Sequence, residues 1–169
     1  MTYQLKSISK DAVPEATAKA DWYRLLNEPG EAESICRDVL AVDPADQTAL
    51  RLLGLAITDQ FRGAPSDRRS EAEAAFQRLR DPYEQVYYMG IARERFAKAQ
   101  LAAGRPPHTL IVLFEDALSW FERAEGVRPA GNDEAILRWN RCARTLNSLA
   151  GSDREREAEA FEPSDSPPL

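Results

Sequence analysis

The sequence has few of the residues that most often build catalytic and metal sites. Among its 169 residues there is one histidine, His108, and there are two cysteines, Cys36 and Cys142. His108 has no cysteine or carboxylate neighbour in the segment 105–109, so we expect neither a histidine-based catalytic site nor a metal site. We expect His108 to lie on the surface. Both cysteines lie in apolar-periodic segments, where a free thiol usually packs as a small hydrophobic group.

Motifs of common enzyme classes are also missing. The sequence has no glycine-rich phosphate loop, no Cys-x-x-Cys pair and no nucleophile elbow. Many carboxylates, among them Glu31, Glu33, Glu71 and Glu73, stand near predicted helix starts, where negative charge favours the helix dipole. We interpret them as solvated helix faces. The sequence therefore predicts a protein that is not an enzyme and binds no cofactor.

Long apolar runs and an excess of positive charge are absent as well. No segment approaches the roughly 20 apolar residues of a membrane span, and the first ten residues lack the apolar core of a signal peptide. We therefore expect a cytoplasmic protein without membrane contact. The net charge is −6, whereas a nucleic-acid-binding surface is usually basic. A nucleic-acid partner is not expected.

The apolar residues, 43% of the chain, follow a helical rather than a strand pattern. They recur at spacings of three and four, as in Leu50, Leu53 and Ile57, and proline- and glycine-containing turns separate the segments. This predicts an all-α fold of about seven helices, at 13–26, 30–42, 46–61, 67–80, 83–103, 108–127 and 132–149. We expect an N-terminal extension at 1–12, a helical repeat domain at 13–150, and a disordered acidic, proline-rich tail at 151–169 that has little to bury.

Small and large residues recur at matching offsets in successive segments. Ala32 precedes Pro44 by 12 residues, and Ala117 precedes Pro129 by the same 12. In two other segments an apolar residue stands three positions after another and is followed by glycine; these are Leu50, Leu53 and Gly54, and Val86, Met89 and Gly90. We predict that both glycines lie where two helices approach closely.

These offsets resemble the signature of the tetratricopeptide repeat (TPR) family over residues 13–149. The resemblance implies a right-handed superhelical solenoid of antiparallel helix pairs, with about three repeats and a C-terminal capping helix. The spacing is irregular, because Ala16 and Leu50 are 34 residues apart whereas Ala72 and Ala117 are 45 apart.

In this family the first helix of each pair lines a concave groove. The resemblance places in the groove Arg51, Leu55, Tyr87, Ile91, Leu137, Arg141 and Arg144, together with Asp21, Arg24 and Glu94. Tyrosine and arginine are enriched at protein interfaces, and arginine binds carboxylates. We therefore expect a protein–protein interaction module, an adaptor or scaffold, that binds an acidic, partly hydrophobic peptide or a helix of a partner.

Two alternatives are open at this point. The chain could be a dedicated chaperone or assembly factor for a secreted or multi-subunit client, or an accessory subunit of an enzyme. A third alternative concerns only the aromatic residues: Tyr87, Tyr88 and Trp139 could be core residues rather than groove residues, because aromatic side chains at helical spacing usually pack inside.

Overall fold

The computed structural model describes residues 2–63 and 67–160. These residues form seven α-helices and no strand, so the predicted all-α fold is confirmed. A 3-10 turn at Lys10–Ala12 precedes the first helix. The helices are α1 (Val13–Leu25), α2 (Pro29–Val42), α3 (Gln47–Asp59), α4 (Arg69–Phe76), α5 (Pro82–Ala102), α6 (Pro107–Gly126) and α7 (Glu134–Ala160).

Proline and aspartate mark several of the helix starts. Proline is the first residue of α2, α5 and α6, a position where its missing N–H would have no intrahelical partner. The Asp46 carboxylate accepts a hydrogen bond from the backbone N–H of Ala49 at 2.7 Å, and Asp81 accepts one from Glu84 at 2.8 Å. These two caps satisfy otherwise unpaired amides at the starts of α3 and α5.

The helices pack in the order in which they follow one another. Each helix contacts the next, and in addition α1 contacts α3 and α3 contacts α5. The core consists of two clusters of buried residues. One lies between α1 and α5 and contains Leu50 and Phe76; the other lies between α5 and α7 and contains Phe114 and Phe121. Helix α5 contributes residues to both clusters, so it joins the two halves of the core.

Two glycines allow phenylalanine rings to approach a helix backbone. A Cβ atom on Gly54 of α3 would lie 2.3 Å from Cε1 of Phe76 in α4. A Cβ atom on Gly90 of α5 would lie 2.7 Å from Cε1 of Phe121 in α6. Both distances are shorter than real Cβ contacts allow. The predicted close approaches at Gly54 and Gly90 are therefore confirmed.

The predicted end of the last helix is wrong. Helix α7 does not stop at residue 149 but continues to Ala160, so it covers residues 151–160 of the predicted tail. The sequence after Gly151 is rich in glutamate, arginine and alanine, which have high intrinsic helix propensity and can extend a helix without a core to pack on. The rest of the predicted tail, 161–169, lies outside the described residues.

Candidate functional site

A groove with a volume of about 730 Å³ crosses α1, α3 and α5. We call it the α1–α3–α5 groove. Its apolar lining includes Leu52, Leu55 and the Tyr88 ring, and its charged lining comprises Asp21, Arg24, Asp46 and Arg51. A mixed surface of this kind can cover apolar side chains of a ligand while charged groups contact its polar atoms.

A second depression of about 390 Å³ lies between α5 and the start of α7. We call it the α5–α7 pocket. Its lining consists of Asp81, Tyr83, Glu84, Tyr87, Tyr88, Pro129, Asn132 and Glu134. Tyr88 lines both the pocket and the α1–α3–α5 groove, so the two depressions meet at this side chain.

Ion pairs connect the helices that line the groove. Arg24 of α1 is 2.8 Å from Asp59 of α3, and Arg51 of α3 is 2.8 Å from Glu84 of α5. Asp59 also pairs with Arg95 of α5. These side chains are partly exposed, so each pair contributes little to stability by itself. Their main effect on the site is that Arg24 and Arg51 already contact carboxylates of the chain.

Glu94 was predicted to lie in the groove, and this prediction is wrong. Its side chain is 0% exposed and accepts hydrogen bonds from Lys98 on the same helix and from Arg138 on α7, the latter at 3.4 Å. A buried carboxylate is tolerated only when cations or donors compensate the lost hydration. Glu94 is therefore part of the α5–α7 packing contact.

Tyr87 and Ile91 were expected on the open face of α5, and this expectation is wrong. Tyr87 is 8% exposed and Ile91 is 2% exposed. Residues of both α6 and α7 pack against this part of α5, and the Tyr87 hydroxyl donates to Glu134 Oε2 at 3.3 Å. The Tyr87 ring also lies 6.0 Å from the Phe121 ring. Ile91 belongs wholly to the core, whereas Tyr87 is a core residue that still lines the α5–α7 pocket.

The remaining predicted site residues fall into two separate groups. Arg51 and Leu55 line the α1–α3–α5 groove. Leu137, Arg141 and Arg144 are exposed on α7, with Leu137 60% exposed, but they line neither depression. The structure therefore does not bring all seven residues into one surface.

Sequence reasoning missed most of the α5–α7 pocket. Tyr83, Asp81, Asn132 and Glu134 come from a helix start and from the turn before α7, and no helical pattern relates them. One signal was available: Tyr83 and Tyr87 are four residues apart, a spacing that places both on one helix face. The Tyr87 hydroxyl donates to Glu134, and burial raises the pKa of this hydroxyl to about 12.

The other chemically interesting residues have structural or surface positions. Cys36 and Cys142 are 1% and 0% exposed, and burial raises the pKa of each thiol to about 12. Both therefore pack in the core as predicted and are poor nucleophiles. His108 is exposed at the start of α6, as expected. Among the described side chains, which lie within 2–63 and 67–151, no three histidine, cysteine, aspartate or glutamate residues are grouped closely enough to hold a metal ion.

None of the described helices combines the length and the apolar content that a membrane-spanning helix needs. Comparison of the chain with family models, with curated proteins and with solved structures gave no match. The chain is an all-α protein with consecutively packed helices. Its surface carries the α1–α3–α5 groove and the adjoining α5–α7 pocket.

Proposed function

We propose that the chain is a non-enzymatic protein–protein interaction module, an adaptor or scaffold that binds an extended peptide or a helix of a partner protein in the α1–α3–α5 groove. The observation that carries the proposal is the groove itself. Three different helices line it, and it combines apolar side chains with charged ones at a volume of about 730 Å³. Ligand-binding clefts typically enclose about 300–1,000 Å³, so a short segment of a partner would fit.

The TPR-like arrangement, a right-handed solenoid of antiparallel helix pairs, is part of the proposal. Two observations support it. The glycines of α3 and α5 each face a phenylalanine of the following helix. The ion pairs Arg51–Glu84, Arg24–Asp59 and Asp59–Arg95 join residues 33, 35 and 36 positions apart, close to the period of about 34 residues in this family.

The charge of the ligand is a separate question. An acidic ligand was expected because of arginines in the groove, but Arg24 and Arg51 contact carboxylates of the chain itself. Arg141 and Arg144 are exposed on α7 but lie outside the groove, so an acidic ligand would have to extend beyond the groove to reach them. This part of the expectation stays a prediction, as does the cytoplasmic location.

A substitution that fills the groove should weaken partner binding. Ala18 of α1 lines the groove and is exposed, so Ala18→Trp adds bulk there without disturbing the core. With a partner captured from native lysate and identified by mass spectrometry, we expect this change to cost about 1–2 kcal/mol of binding free energy by titration calorimetry. Arg51→Ala should cost a similar amount.

The matched control is Ala41→Trp. Ala41 is exposed on α2 and lines neither depression, so the same alanine-to-tryptophan change should leave binding as in the wild type. If Ala41→Trp abolishes binding while Ala18→Trp and Arg51→Ala do not affect it, the groove proposal is wrong and the surface of α2 binds the partner. The nature of the captured protein would separate an adaptor from a chaperone and from an enzyme subunit.

A further inference from the structure

The α5–α7 pocket combines aromatic rings with carboxylates. Three tyrosines and three carboxylates line it, and no lysine or arginine does. The Tyr83 and Tyr87 rings are stacked, with centroids 5.5 Å apart and an angle of 19° between the planes. The Tyr88 ring meets Tyr87 edge-on at 5.2 Å. The tyrosines therefore form one continuous aromatic wall.

Hydrogen bonds hold two of these rings in place. The Tyr83 hydroxyl donates to Asn132 Oδ1 at 3.3 Å, and the same oxygen accepts the backbone N–H of Glu134 at 3.1 Å. The Tyr87 hydroxyl donates to Glu134 Oε2, also at 3.3 Å. The wall is therefore positioned before a ligand arrives, which lowers the entropy cost of binding.

The negative charge of the pocket is only partly compensated. Among its three carboxylates, Glu84 pairs with Arg51. Arg138 contacts the buried Glu94 and lies near Tyr87 and Glu134, and Arg128 donates to the Asn132 carbonyl and pairs with Asp133. Asp81 and Glu134 form no salt bridge with any described residue. A cation entering the pocket would meet these two carboxylates and the parts of the tyrosine rings that line it, and aromatic rings attract positive charge.

We propose that the α5–α7 pocket binds an arginine side chain of the partner. Arginine fits better than lysine because its planar guanidinium can donate two hydrogen bonds to one carboxylate while it contacts the tyrosine wall. This assignment rests on the proposed function. Tyr88 lines the groove as well as the pocket, so one extended peptide reaches both, with its arginine in the pocket and its apolar residues in the groove.

The test uses the full chain and three small probes of nearly equal size: Nα-acetyl-argininamide, the lysine equivalent, and the citrulline equivalent, which keeps the shape of arginine without its charge. Binding is followed by NMR titration of backbone and asparagine side-chain amides. We expect the arginine probe to bind in about the millimolar range, as its size allows, and to shift the signals of Asn132, Glu84 and Glu134. It should bind about fivefold more tightly than either of the other probes.

Two charge-removing variants locate the site. Asp81→Asn keeps a side-chain cap on α5, because asparagine caps as well as aspartate, and Glu134→Gln keeps an acceptor for Tyr87. Each should weaken the arginine probe about threefold or more. The control is Glu115→Gln: Glu115 is exposed on α6 and lines neither depression. It should bind the probe like the wild type.

The proposal is overturned if citrulline or lysine binds as tightly as arginine, if the shifted signals lie away from the pocket, or if both variants bind like the wild type. The groove proposal has its own readout in Ala18→Trp. Loss of partner binding in Ala18→Trp together with no arginine-specific binding would reject the pocket assignment and keep the groove. Unchanged partner binding in Ala18→Trp together with arginine-specific binding in the pocket would reject the groove and keep the pocket assignment.

Discussion

Gly54→Ala should lower the free energy of unfolding by about 1–3 kcal/mol, the usual cost of overpacking a core. Helix propensity alone predicts the opposite sign, because alanine is about 1 kcal/mol more favourable than glycine inside a helix. The clash decides the sign. The added Cβ would lie 2.3 Å from Phe76 Cε1, and the Phe76 ring has little room to move, since it is 0% exposed and stacked on Tyr88 at 5.3 Å.

Urea unfolding followed by circular dichroism measures this effect, and Gly30→Ala is the matched control. Gly30 lies in α2 with no atom near enough to meet a new Cβ, so its replacement should be neutral or slightly stabilising. The cause is tested by repeating Gly54→Ala in a Phe76→Leu background, where the smaller side chain should relieve most of the penalty. An unchanged penalty there would show that the ring is not responsible.

Glu33→Gln should lower the free energy of unfolding by about 1–2 kcal/mol at neutral pH. Glu33 was predicted to be a solvated residue near the start of α2, and this is wrong: its side chain is 12% exposed. It accepts two hydrogen bonds from Arg68, at 2.7 and 3.0 Å, two from Arg37, at 2.7 and 3.1 Å, and one from Gln60 at 2.7 Å. Glutamine keeps the size but loses the charge that these donors recognise.

The penalty should depend on pH in a defined direction. Arg68 above all, with Arg37 and Gln60, lowers the pKa of Glu33 from 4.5 to about 2 despite the opposing effect of burial. A lowered pKa in the folded state means that the carboxylate stabilises the fold above about pH 4.5 and that this contribution is lost as the pH falls towards 2. Unfolding experiments between pH 7 and 3 should therefore show the wild type and Glu33→Gln converging.

Glu115→Gln again provides the control, because Glu115 is exposed on α6 and the difference it makes should stay near zero at every pH. A Glu33→Gln penalty that stays constant down to pH 3 would show that the charge of Glu33 is not what stabilises the contact.

Local features of the fold could be predicted from the sequence. Prolines and glycines separate the helices, and the offsets around Gly54 and Gly90 predict close approaches because they depend only on residues within one helix pair. The positions of Tyr87, Ile91 and Glu94 could not be predicted in this way. Their burial depends on how α6 and α7 pack against α5, and Glu134, which accepts the Tyr87 hydrogen bond, lies 47 residues after Tyr87.

Part of the groove lining could also be predicted from local sequence patterns. Arg51 and Leu55 do line it, since α3 follows the regular spacing. The pairing of Arg51 with Glu84, 33 residues later, could have been found by comparing charges about 34 residues apart, the spacing between Ala16 and Leu50. The positions of Glu134 and Asn132 could not have been found in this way, because the turn before α7 departs from that spacing.

The position of α5 in both core clusters has a consequence for dividing the chain into fragments. A cut between α4 and α5 leaves Phe76 without the Tyr88 ring that stacks on it, and a cut between α5 and α6 leaves Gly90 and Ile91 without the Phe121 side of the core. Whichever fragment lacks α5 therefore exposes apolar surface, so neither cut gives two self-sufficient folding units.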